Sequence, residues 1–289
     1  MNRAMLRLSA LAVALLAARG VARAADDGAG ATNGTSVTDG ASAADGPGLD
    51  ERTAFLVGEH TLKLGILAFD YGITDSVSIG SDPPFWAARA FISVLVPNLN
   101  AKRLIFQRKP LTVSAQVAGY VANLRSSDNA SGWLIAAPLS LFASFELTPT
   151  IWLHGEGTYE YVRAFGAGDL DRVNVGGAIA SQTVQLAGMF QLRLTRVVSL
   201  TASGRYQVYT GNLAFNGTSN LDPYTTVTVD GRAMPAVAHP WQAIGGIALL
   251  WTHVHLIVGA GYGYYFIPGV QLAYPKQTFV PDASFSVLL

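Results

Sequence analysis

Beyond residue 50 the chain is dominated by a period of two. In residues 111 to 122 the odd positions are Leu111, Val113, Ala115, Val117, Gly119 and Val121, while the even ones include Thr112, Ser114, Gln116 and Tyr120. Successive side chains of an extended strand point to opposite faces, so one face of this segment is apolar and the other polar. Residues 150 to 162 repeat the pattern, with Ile151, Leu153, Gly155, Gly157, Tyr159 and Tyr161 opposite Thr150, Trp152, His154, Glu156, Thr158 and Glu160. Residues 183 to 194 set Val184, Leu186, Phe190, Leu192 and Leu194 against Thr183, Gln185, Gln191 and Arg193. Residues 198 to 209 set Val198, Leu200, Ala202, Tyr206 and Val208 against Ser199, Thr201, Ser203, Arg205, Gln207 and Tyr209. Residues 133 to 147 and 241 to 252 are apolar on both faces for much of their length and read as strands by length and neighbours.

Residues 98 to 107 put Asn98, Asn100 and Lys102 on one face, which leaves Arg103 on the apolar side. A charge there costs roughly 2 to 4 kcal/mol at the middle of a bilayer and little at its edge, so a bulge or an interfacial position is expected.

Connection lengths alternate. Short ones fall at Asp70 to Asp75, Gln107 to Pro110, Thr148 to Thr150, Thr195 to Val197 and Thr252 to His253; long ones fall near residues 82 to 96, 123 to 131, 163 to 179, 212 to 237 and 267 to 280. Short periplasmic turns and long outer loops are the habit of transmembrane barrels. Expected strands lie near 61–69, 74–81, 97–107, 110–122, 133–147, 150–162, 181–195, 197–210, 239–252, 254–266 and 281–289. That odd number needs one more if both ends face the periplasm. Arg52 to Val57, hairpinned through Gly58-Glu59-His60, supplies it. The fold class is therefore all-β, an antiparallel transmembrane up-and-down β-barrel of about twelve strands, with ten as the alternative.

Aromatics support the orientation, because such side chains collect where strands cross the membrane–water boundary. Tyr159 and Tyr161, Tyr206, and Tyr262, Tyr264 and Phe266 lie towards the far ends of strands that leave short turns, which suggests an outer girdle; Trp251 and Phe145 suggest an inner one.

Half the residues are hydrophobic and only 13% are charged, yet no apolar run reaches the roughly 20 residues of a membrane helix. Leu8 to Ala18 is instead placed like the core of a signal peptide, behind Arg3 and Arg7 and ahead of Ala22-Arg23-Ala24, with cleavage expected after Ala24. Losing residues 1 to 24 removes four arginines and no acid, so nineteen basic and nineteen acidic residues become fifteen and nineteen, a formal charge of −4. A mildly acidic chain lacks the basic patch of a nucleic-acid binder. The absence of cysteine excludes a disulfide-stapled domain, thiolate metal sites and a lipidated cysteine. Residues 25 to 50, small and polar with five aspartates, cannot bury a core and are expected to be a disordered periplasmic segment ahead of the 51–289 barrel.

The stretch Tyr71-Gly72-Ile73-Thr74-Asp75, followed by Val77 and Ile79, resembles a recurring hairpin of bacterial outer-membrane barrel families, including the phenol-degradation meta-pathway outer-membrane family. Pro97-Asn98-Leu99-Asn100-Ala101-Lys102 and the Gly-Tyr-rich strand from Gly259 to Phe266 resemble later stretches of such barrels. The C-terminal Phe285-Ser286-Val287-Leu288-Leu289 resembles the terminal strand read by the barrel-assembly machinery, with Leu289 where phenylalanine is usual. The resemblance implies a Gram-negative outer-membrane location, with export and barrel-assembly machinery and outer-membrane lipid as partners.

Candidate lumen-facing polar residues are Lys63, Lys102, His154, Glu156, Glu160, Arg193 and Arg205. Both signs are present, so they can line a passage or close it by pairing with one another. His154 and Glu156 share a face and could orient each other for general-base chemistry, but no His-x-Ser pattern of outer-membrane lipid enzymes accompanies them. His253 and His255 lack a nearby third ligand, so no metal site is expected. The expected function is a narrow passive conduit or uptake barrel for small solutes, with no cofactor. A non-conducting surface barrel is the alternative, and a lipid-modifying enzyme the remote one.

Overall fold

The computed structural model describes residues 52–83, 96–125, 131–170, 173–211, 213–222, 225–233, 237, 239–266 and 273–289. The expected signal peptide and the 25–50 segment lie outside these residues. Among the described residues fourteen strands form a single antiparallel sheet. They are β1 (Leu62–Gly65), β2 (Phe69–Thr74), β3 (Val77–Ser81), β4 (Asn98–Arg108), β5 (Leu111–Arg125), β6 (Ser131–Thr148) and β7 (Ile151–Leu170). The remainder are β8 (Val173–Arg193), β9 (Val198–Thr210), β10 (Leu213–Asp222), β11 (Thr225–Ala233), β12 (Trp241–Leu250), β13 (Val254–Phe266) and β14 (Ala273–Leu288).

The sheet closes on itself. β1 pairs with β14, and β9 joins β8 to β12, so a ring runs through β1 to β9 and back through β12, β13 and β14. That ring has twelve members. β10 continues the direction of β9 along the same neighbour, since Thr210 pairs with Thr183 of β8 and Ala214 pairs with Ala180. β11 returns beside β10, and the chain then re-enters the ring as β12 after the buried Pro240, which has no N–H for a ladder.

The expected total of twelve is met, but by a different division of the chain. Residues 61 to 69 are two strands, because the chain reverses at Ile66–Ala68, closed by Gly65 N–H donating to Ala68 O at 2.9 Å. Arg52 to Val57 is no strand of the ring. It turns at Gly58–Thr61 as expected, with Thr61 N–H donating to Gly58 O at 3.1 Å, but stands inside the barrel.

Three loops expected from the sequence are also strand over much of their length, the third being 267 to 280, since β14 already begins at Ala273. Within the expected loop 163 to 179, residues 163–170 and 173–179 extend β7 and β8 to 20 and 21 residues, about twice the 9 to 11 that cross a bilayer, and within 212 to 237 the described residues pair as β10 and β11. Antiparallel pairing satisfies the backbone equally well outside a membrane, and the register of β7 with β8 runs unbroken to Leu170 and Val173. The opposite wall is low, with β1, β2 and β3 only 4, 6 and 5 residues long. The rim is therefore cut at a slant.

Alternation sorts the two faces. Thr112, Ser114, Tyr120, Ser140, Ser144, His154, Thr158, Gln185 and Gln191 are buried inside, while Leu139, Leu141, Leu153, Leu186 and Val258 are exposed outside. The expected bulge in β4 falls between Leu104 and Phe106, and Arg103 pairs with Val77, the first residue after the Asp75–Ser76 turn. Two aromatics change sides because of bulges. An irregularity opposite Val184 and Gln185 puts Tyr209 on the outer face with Val184, and another between Tyr264 and Phe266 turns Phe266 inward, where it is buried. Tyr159, Tyr206, Tyr209, Trp241 and Tyr262 remain as an exposed outer belt, and Phe145 and Trp251 are exposed towards the short-turn end.

Candidate functional site

The lumen is filled from the short-turn end by Arg52–Val57. A segment inside a barrel that joins no strand has no ladder partners, so its backbone groups must be met by side chains. Two wall residues do this, and a third packs on a side chain of the segment. Lys102 of β4 donates from Nζ to Thr53 O at 2.5 Å and to Phe55 O at 2.9 Å. Ser144 of β6 accepts from Ala54 N–H at 2.9 Å. Phe55 meets Trp152 of β7 edge to face, ring centroids 5.5 Å apart. Beyond these contacts, Arg52 donates to both carboxylate oxygens of Asp282 of β14 from Nη1 and Nη2, at 2.6 and 2.5 Å. Thr53 and Ala54 are wholly buried.

Ser144 belongs to a wall-spanning relay. Its Oγ lies 2.8 Å from His154 Nδ1, His154 Nε2 lies 3.3 Å from Gln191 Oε1, and Gln191 Nε2 donates to Ser199 Oγ at 3.1 Å. His154 thus turns to Ser144 and Gln191, and the pairing with Glu156 that their shared face allows does not form. Glu156 instead faces Arg205 at 3.9 Å and accepts from Thr158 Oγ1 at 2.8 Å. Arg205 also lies 5.6 Å from the ring of Phe266, the residue that the β13 bulge brought inside.

Next to the segment is a cavity of about 330 Å³. Of the seven residues expected in the lumen, Lys102, His154, Glu156 and Arg205 line it. Lys63 is buried elsewhere in the lumen, cross-strand from Asp70. Glu160 is fully buried, and neither of its oxygens makes a hydrogen bond among the described residues. Arg193 sits next to the Leu194–Val197 turn, away from the cavity. The sequence reading did not single out Arg52, Asp282, Asn100, Gln116 or Gln242, all of which line the cavity. Asp282 was findable, since it shares the face of Ser284 and Ser286 in the terminal strand. Arg52 was hidden by its assignment to a strand.

The closed ring, the polar interior and the apolar exterior with its aromatic belt define a membrane-spanning β-barrel of the outer-membrane type. No protein-family model, the phenol-degradation meta-pathway family included, and no curated protein matches the sequence. Among solved structures the chain is similar to the translocator domain of the autotransporter NalP from Neisseria meningitidis, at 9% identity and a TM-score of 0.43, covering 79% of this chain and 83% of that one. It is similar to the toluene transporter TodX of Pseudomonas putida, at 13% identity and a TM-score of 0.42, covering 79% and 76%. A copper transporter, OprC, gives 10% identity and a TM-score of 0.42, with 79% of this chain matched to only 41% of that one.

Proposed function

We propose that this chain is an outer-membrane conduit for small solutes whose lumen is held shut at one level by its own Arg52–Val57 segment. The short-turn end then faces the periplasm, and the tall β7–β8 side and the β10–β11 hairpin face outward. The observation that carries the reading is how the segment is held: side chains pin it, and no ladder does, so it can leave without unzipping the wall. A segment that formed a strand of the ring could not do so.

The test is planar-bilayer recording on folded protein, with and without residues 25 to 57. The intact chain should show small or rare openings, and the shortened one a larger, more frequent conductance. Silence from both, with heat-modifiable migration proving that both folded, sinks the proposal. A second reading, a closed barrel that acts through its outer rim, is favoured by the filled lower lumen and predicts that silence. The proposal includes no catalysis, and turnover of outer-membrane lipid by the purified barrel would count against it.

A further inference from the structure

The cavity beside the segment has a chemical character of its own. Its lining carries Arg52, Lys102 and Arg205 against Asp70, Asp82, Glu156 and Asp282, so the formal charges nearly cancel. More telling, these charges are engaged with one another or with protein dipoles. Arg52 is bound to Asp282, Arg205 faces Glu156, Lys102 sits on two carbonyls, Tyr120 OH donates to Asp82, and Asp70 is engaged as well. An ionic guest would have to break one of these pairs and leave its partner in a desolvated lumen, which is the costly arrangement for a buried charge. What the walls still offer is neutral hydrogen-bonding groups, as in Asn100, Gln116 and Gln242, together with apolar surface that includes Met189, Ile244 and Phe266.

We infer that this cavity is a binding site for a small uncharged amphiphile, a molecule with one hydrogen-bonding end and a compact apolar body. Its volume falls at the lower end of the range for small-molecule pockets. The neutrality is enforced by pairs, so it can be switched by breaking one. Removing the carboxylate of Glu156 shifts the charge of the lining one unit towards positive and favours an anion, and removing the guanidinium of Arg205 shifts it one unit towards negative and favours a cation. The inference uses the proposed passage only to say how a guest arrives.

The experiment is equilibrium titration calorimetry on the full barrel in nanodiscs with three probes of one shape: cyclohexanol, cyclohexanecarboxylate and cyclohexylammonium. The wild type should bind cyclohexanol at least tenfold more tightly than either ion. Glu156→Gln should raise affinity for the carboxylate at least tenfold, and Arg205→Gln should raise it for the ammonium by as much. Opposite changes in two variants cannot come from a general loss of fold. The inference is overturned if the wild type binds an ion as well as the alcohol, if none of the probes binds up to its solubility, or if neither variant moves its ion. Binding of cyclohexanol without passage through the membrane would sink the conduit reading alone, and passage without preference would sink this one alone.

Discussion

Replacing Lys102 with methionine tests how firmly the lumen segment is held. The ammonium group donates to Thr53 O at 2.5 Å and Phe55 O at 2.9 Å and lies 4.5 Å from the Phe142 ring centroid. Methionine keeps most of the apolar stem and removes the donor, so two carbonyls facing a buried lumen lose their partner. Leaving a buried polar group unsatisfied costs about 1 to 3 kcal/mol, and some of that returns through water, so a net weakening of about 2 to 4 kcal/mol is expected. At roughly 1.4 kcal/mol per factor of ten, the fraction of molecules with the segment released should rise roughly 30-fold to 1000-fold.

The chain has no cysteine, so Ala54→Cys introduces a single thiol at a wholly buried position. Its rate of reaction with a small water-soluble maleimide follows the released population when labelling is slower than reclosing. Glu59→Cys, in the exposed turn, supplies the unprotected rate. The reasoning is refuted if the Ala54→Cys thiol reacts as fast as that control, or if adding Lys102→Met leaves its rate unchanged.

Other outcomes follow from the same contacts. Arg52→Ala removes a bidentate pair that is only partly buried, so single-channel openings should become roughly tenfold more frequent, for a loss of about 1.5 kcal/mol. At Gly72 a Cβ would stand 1.9 Å from Gly58 O, whereas at Gly119 it would meet nothing within 4 Å; Gly72→Ala should lower the urea midpoint and disturb the Gly58–Thr61 turn, while Gly119→Ala should change neither. On the lipid face, Leu141→Arg should destabilise the barrel by about 2 to 4 kcal/mol in urea titrations and Leu147→Arg, close to the turn after Thr148, by about 1 kcal/mol or less. Thr158 bridges Ser140 at 2.7 Å and Glu156 at 2.8 Å, so Thr158→Val should cost about 1 to 3 kcal/mol in the same assay.

What could be read from the sequence was whatever depends on the lipid boundary. Strands whose outer face must be apolar and whose inner face need not be, as at Leu111–Ala122 and Ile151–Val162, carry their register in composition. The misassigned features lie where that contrast stops. Residues 163–170 and 173–179 carry β7 and β8 beyond the length that crosses a bilayer, where no lipid boundary demands an apolar outer face and the sequence contrast lapses. Tyr209 follows its strand's alternation until a single extra residue in β9 reverses it, Phe266 lies at the register shift between β13 and β14, and nothing in the local composition marks either irregularity. Arg52–Val57 has the apolar content of a strand because it is buried like one, yet its neighbours are lumen side chains distant in sequence. The seven lumen residues were found by parity alone. Which of them meet depends on barrel curvature and on the segment, neither of which is local.

The slanted rim bears on how the ring comes apart. β7 and β8 are joined by register over twenty consecutive pairs, whereas the first and last strands of the ring are joined by three pairs between β1 and β14, a reciprocal pair of bonds between Leu62 and Leu289 at 3.0 and 2.9 Å, and Ile66 N–H donating to Phe285 O at 2.9 Å. Opening free energies in a folded protein vary with local contact density, so this ring resembles a bracelet with a clasp more than a uniform hoop. Amide protons at Leu62, Leu64 and Leu289 should exchange by unfastening that clasp, long before those of β7 and β8. A pulling force applied to the termini would peel the wall from its lowest side and meet its greatest resistance only on reaching the tall one.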